Sequence, residues 1–144
     1  MPRPLATLAL LTLAALPLGA QSTADSAGIR AAALDYIDGW WTGDAARMER
    51  ALHPDLAKRI LVTNREGGPR LNNMTAAQLV NGARTGGGKQ TPASERKSEV
   101  KILDIFGNAA SARIDAGGWI DYLHLSRTGD RWQIVNVLWE LRTR

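Results

Sequence analysis

The sequence predicts an α+β domain, with helices packed on one face of a strongly curved antiparallel sheet. Two observations carry this. Up to Ala83 the apolar residues outside one extended run recur mainly at helical spacings, whereas from Glu99 onward they fall in runs separated by short turn-forming pairs and triplets. Helices first and strands last argues against alternating βαβ units.

Each element has its own signals. Ile29, Ala32, Ala33, Tyr36, Ile37 and Trp40 form the stripe of a first amphipathic helix, with Asp25 or Ser26 as its cap and Gly43 as its stop. Asp44 caps a short second helix carrying Ala45, Met48 and Leu52, which Pro54 ends. Leu56 to Thr63 reads as extended, and Asn64 to Asn73, centred on Gly67-Gly68-Pro69, as a loop. Thr75-Ala76-Ala77-Gln78 is a capping box for a third helix with Leu79, Val80 and Ala83, closed by Gly86-Gly87-Gly88. Four apolar runs follow: Val100 to Phe106, Ala109 to Ala116, Trp119 to Arg127 and Arg131 to Leu141. Gly107-Asn108, Gly117-Gly118 and Thr128-Gly129-Asp130 separate them, so neighbours should pair antiparallel as a meander.

Composition bounds the function. Apolar residues make up 44% and charged residues 22%, enough for a packed core. The net charge of +4 is spread along the chain without a dense basic run, so no nucleic-acid partner is expected. Residues 1–20 carry Arg3, an apolar stretch from Leu5 to Leu16 and small residues up to Ala20, the pattern of a signal peptide. That stretch is shorter than the roughly 20 residues that span a bilayer, so no stable membrane anchor is expected. Residues 21–144 then form a single exported domain, periplasmic or secreted, with cleavage after Ala20 or, alternatively, after Ala24. With no cysteine, the domain cannot use disulfides or thiolate ligands.

Tyr36-Ile37-Asp38-Gly39-Trp40, Gly43-Asp44, Leu52-His53-Pro54-Asp55, Gly107-Asn108-Ala109-Ala110, Asp121-Tyr122-Leu123 and Arg131 through Asn136, with the order of elements, resemble the nuclear transport factor 2-like superfamily. The nearest likeness is to its SnoaL-like and lumazine-binding branch, over about residues 27–142. The resemblance implies a cone-shaped barrel, three helices closing one side of a bent sheet around a pocket, commonly as a homodimer. It implies little about chemistry, because one scaffold carries many functions.

Asp121 is the candidate catalytic residue. On a strand it shares a face with Trp119, Leu123 and Leu125, and among apolar groups a carboxylate gains the basicity a general base needs. The bland reading is a structural carboxylate bonded to Trp or Arg. Tyr36, Trp40, Met48, Trp119, Asp121, Leu123 and Asn136 form the expected ligand pocket, and five tryptophans suit either a core or an aromatic cavity. His124 has the wrong parity to join Asp121. His53 reads as structural, so no metal site is expected, and no cofactor. Gly82 to Lys89 lacks the residues of a phosphate loop and reads as a mobile linker; Ser94 to Glu99 reads as a solvated charge run.

Three functions remain open: a domain binding a small hydrophobic or aromatic ligand, a general-base enzyme of the isomerase, cyclase or dehydratase kind using Asp121, and a dimeric module with a filled pocket. A cavity below about 300 Å³ would have no room for a drug-sized ligand. The last strand reads as apolar on both faces, which places Val135, Val137 and Trp139 at an expected homodimer interface.

Overall fold

The computed structural model describes residues 18–142, with side chains from residue 23. Most of the expected leader, residues 1–17, lies outside the described residues, and Leu18 to Ala20 form the first turn of a helix. Three helices, α1 (Leu18–Thr42), α2 (Ala45–Ala51) and α3 (Ala76–Arg84), pack on a six-stranded sheet. Its strands are β1 (Leu52–Thr63), β2 (Pro69–Thr75), β3 (Glu99–Phe106), β4 (Ala109–Asp115), β5 (Trp119–Thr128) and β6 (Arg131–Leu141).

The strand order is β2-β1-β6-β5-β4-β3. The last four strands form the expected antiparallel meander. The sheet is nevertheless mixed and open, because β1 lies parallel to β6. A parallel pair needs a long crossover, and everything between Thr63 and Arg131 supplies it. Pro54 does not end α2, which stops at Ala51: Leu52, expected on that helix, already starts β1, whose pairing with β6 is irregular between Leu52 and Ala57.

Several local signals operate as written. Asp44 accepts from the Arg47 amide at 3.0 Å, and Thr75 and Gln78 close the capping box of α3. Other expectations need correction. α1 begins well before Asp25, so Asp25 is no cap; it is buried and accepts from Arg127 Nη1 (2.8 Å) and Trp132 Nε1 (3.2 Å). Part of the expected Asn64–Asn73 loop is strand: β2 pairs with β1 from Thr63↔Pro69 to Ala57↔Thr75. It lies at the sheet edge and is almost wholly exposed, which explains its polar sequence.

The expected linker at Gly82 to Lys89 is ordered as well. Gly87 to Gln90 form a 3₁₀ turn laid on Trp40, and a side chain at Gly88 would collide with the Trp40 carbonyl. Within the expected charge run, Arg96 donates to the carbonyls of Thr91 (2.8 Å), Trp41 (3.2 Å) and Lys89 (3.1 Å), tying that turn to α1.

The core lies between the helices and the concave face of the sheet. Ile29, Ile37, Met48, Ile114, Leu123, Leu125, Ile134 and Val137 are its largest fully buried apolar side chains. Beside them Asp35 and Asp38 of α1 pair with Arg47 and Arg50 of α2, fixing the two helices to each other.

Candidate ligand-binding site

At the end of the sheet where β5 starts and β6 stops, α1, α3 and the Gly87 turn enclose a cavity of about 250 Å³. Tyr36, Trp40, Trp119 and Trp139 give it aromatic walls, and Ile37, Met74 and Leu79 add apolar surface. Leu141, 55% exposed, is also in its lining. A larger groove near α2 and α3 is lined by Glu49, Arg84, Arg131 and Gln133 and has no comparable aromatic enclosure.

The chemistry of the cavity centres on Lys58. Leu56, Lys58 and Ile60 are successive inward positions of β1, so the strand's period of two carries a lysine into the interior, where it is 5% exposed. Its Nζ donates to Asp121 Oδ1 at 2.8 Å and to Tyr36 Oη at 2.6 Å. It also stands 4.7 Å from the centroid of the Trp139 ring, close enough for a cation–π contact.

Asp121 is fully buried and has both oxygens engaged. Besides Lys58, it accepts from Trp119 Nε1 at 2.9 Å and, more distantly, from Tyr36 Oη at 3.4 Å, both on Oδ2. Burial lowers the Lys58 pKa from its ordinary value, while the Asp121 charge works the other way. Burial raises the Tyr36 phenol well above its ordinary value, and Asp121 adds to the shift. Lys58 and Asp121 make a hydrogen-bonded ion pair of no net charge, with Lys58 in the cavity wall and Asp121 behind it.

Trp41, Trp119 and Trp139 form a ring series: Trp41 and Trp119 lie 5.0 Å apart between centroids, and Trp119 and Trp139 meet edge to face at 6.5 Å. Trp41 is buried and Trp40 only half buried, so adjacent positions of α1 diverge into core and cavity rim. Trp139 Nε1 is buried with no hydrogen-bond partner among the described residues, a condition that costs about 1–3 kcal/mol.

Of the pocket residues expected from sequence, Tyr36, Trp40 and Trp119 line the cavity and Asp121 bonds to its wall. Three do not belong to it. Met48 and Leu123 are packed into the core, 0% and 1% exposed. Asn136 faces the other side of the sheet, where it accepts from Arg59 Nη1 at 2.9 Å and neighbours the exposed His124.

A β-bulge explains Asn136 and corrects the expected interface as well. His124 pairs with Asn136 but Leu125 pairs with Ile134, leaving Val135 as an extra residue in β6. The bulge switches the strand's phase. Trp132 and Ile134 point inward before it, Val137 and Trp139 after it. The apparent second apolar face is the same inner face read in two phases, so Val137 is fully buried and Trp139 lines the cavity.

Lys58, Trp139, Ile37, Met74, Leu79 and Leu141 are among the site residues that sequence reasoning missed. For Lys58 a signal was present, since it alternates with Leu56 and Ile60 on one face of the run. Among the described residues, no group of three or more His, Asp or Glu side chains could hold a metal ion.

The family described as "Putative lumazine-binding" matches residues 24–140. The fold is similar to that of an NTF2-like protein of unknown function from Shewanella baltica, at 18% identity and a TM-score of 0.63, over 90% of this chain and 100% of that one. It is similar to an NTF2-like protein of unknown function from Methylobacillus flagellatus at 23% identity and a TM-score of 0.65, over 83% and 93% of the two chains. An NTF2-like protein with a cystatin-like fold from Novosphingobium aromaticivorans matches at 14% identity and a TM-score of 0.62, over 85% of each chain. No curated protein matches the sequence. Matched over nearly all of its described length, the chain belongs to the family described as "Putative lumazine-binding", and its fold is that of these NTF2-like proteins.

Proposed function

We propose that this protein is a ligand-binding domain whose cavity takes a compact apolar or aromatic molecule of one or two rings. The observation that carries the reading is the aromatic enclosure of about 250 Å³. A cavity of that size excludes a drug-sized guest, but an apolar cavity of about 150 Å³ accepts benzene. The family's description names a flat bicyclic heteroaromatic, which is of this size. The geometry favours binding over general-base catalysis, because both oxygens of Asp121 are already occupied by donors.

Titration of purified protein with small ring compounds tests it. Trp40, Trp119 and Trp139 line the site, so a bound guest should change tryptophan emission saturably. Native mass spectrometry of protein from its own host should show a retained mass of one small molecule. Unchanged emission across a broad panel, together with a bare mass, would reject the reading.

Export of a mature chain cut after Ala20 belongs to the same proposal. A cut there keeps a turn of α1 ahead of Asp25, whose carboxylate Arg127 and Trp132 hold, whereas a cut after Ala24 would make Asp25 the terminus. Pairing with a second copy through the outer sheet face is also part of it. Leu61 and Leu71 are register neighbours there, as are Tyr122 and Leu138, and each is about half exposed.

A further inference from the structure

We infer that Lys58 sets the specificity of the cavity, and that its guest is a neutral ring compound whose carbonyl oxygen accepts a hydrogen bond from Lys58 Nζ. The inference rests on the reading of the cavity as a small-molecule site.

An ammonium has three N–H donors. Two of them are used, by Asp121 Oδ1 and Tyr36 Oη. The third has aromatic faces for company, the rings of Trp139 and Tyr36 lying 4.7 and 5.3 Å from Nζ. Of the described residues that line the cavity, Lys58 is the charged one, so a polar atom on the guest has its strongest partner there. Trp119 has already given its N–H to Asp121, and the N–H of Trp139 has no acceptor.

Charge then selects the kind of acceptor. Lys58 and Asp121 neutralise each other within the wall. A carboxylate guest would bring a second anion to a single buried cation, and an amine would bring a second cation; either leaves a buried charge uncompensated. A hydrocarbon fills the space but leaves the third donor unused. A ketone or ring lactam satisfies that donor and adds no charge.

The test uses four guests on one frame: 1-indanone, indane, indane-1-carboxylate and 1-aminoindane. Binding is followed by tryptophan emission and calorimetry, and the infrared carbonyl band of bound 1-indanone is recorded. For the wild type, 1-indanone should bind about tenfold tighter than indane, and tighter than either charged analogue, with its carbonyl band shifted to lower wavenumber. The double variant Lys58→Met/Asp121→Asn removes cation and counter-ion together and leaves Trp119 an acceptor. In it, the ketone should lose most of its advantage over the hydrocarbon and the band shift should shrink, because only neutral donors, Tyr36 Oη and Trp139 Nε1 among them, remain in the wall.

Equal affinities for 1-indanone and indane in the wild type would overturn the inference, as would tightest binding of the carboxylate or a ketone preference that survives undiminished in the double variant. Binding of none of the four would overturn the small-ring reading itself, and this inference with it. Should the double variant fail to fold, the wild-type affinities and carbonyl band still decide.

Discussion

Removing one member of the Lys58–Asp121 pair leaves the other buried without its counter-charge, held only by Tyr36 and, for Asp121, Trp119. Lys58→Met or Asp121→Asn alone should therefore cost about 3–5 kcal/mol in urea unfolding, and Lys58→Met/Asp121→Asn should recover a large part of that loss. On sequence alone Asp121 reads as a candidate general base or as a carboxylate bonded to Trp or Arg, and neither reading includes a lysine partner. The difference is Lys58: a lysine in a strand reads as solvated, and nothing local announces that its ammonium ends 2.8 Å from a carboxylate 63 residues away. Tyr36 makes a pH test at this scale. Its phenol stays protonated in the folded state well above the ordinary value, because of burial and then Asp121, while the unfolded chain releases that proton near pH ~10. Stability should then fall as pH rises above about 10, and Tyr36→Phe should remove that part of the slope, read from urea midpoints at pH 9 to 11.

Among the elements, β6 depends on its bulge. Val137→Lys places a charge at a fully buried position, so it should abolish cooperative unfolding and near-ultraviolet dichroism; a folded, merely dissociated protein would contradict the inward phase given to Val137. The α1–α2 clamp governs the acid limb. Burial by itself raises the Asp35 carboxyl, but its bonds to Arg50 and Arg47 outweigh this and hold it below the ordinary range. Burial likewise raises the Asp115 carboxyl, and the Gly117 amide, Arg142 and Lys97 outweigh it and hold it below the ordinary range. The unfolded chain takes up these protons first as pH drops, so their contribution is present above about pH 4 and is lost on acidification below it. Asp35→Asn should flatten the fall of the urea midpoint between pH 4 and pH 2.5. Elements governed by local chemistry were legible: the Asp44 cap, the Thr75–Gln78 box and the glycine turns of the meander. Those set by the strand beside them were not. β2 is strand because β1 offers it an edge, and Val135 bulges because β5 pairs on either side of it.

At the scale of the whole molecule the order of helices and strands already implied the α+β architecture, while the parallel β1–β6 contact left no trace in the sequence, since pairing direction depends on the path of the intervening chain. Leu138 is half exposed on the outer face, so Leu138→Lys should leave the monomer fold intact and turn a dimer into a monomer in sedimentation at micromolar concentration; an unchanged sedimentation coefficient would move assembly away from this face. The parallel contact also sets a timetable for folding. β1 lies between β2 and β6 in the sheet, and its β6 partners are about 80 residues further along the chain, as in Leu52↔Ile134. During synthesis the helices, β1 and β2 exist long before the strand that completes the wall beside them, and closing so large a loop is slow. A nascent chain lacking β6 should stay open to proteases, and the protein should reach its compact state only once β6 has left the ribosome, a delay that, for the export proposed above, leaves a translocation machinery time to take the chain while it is still unfolded.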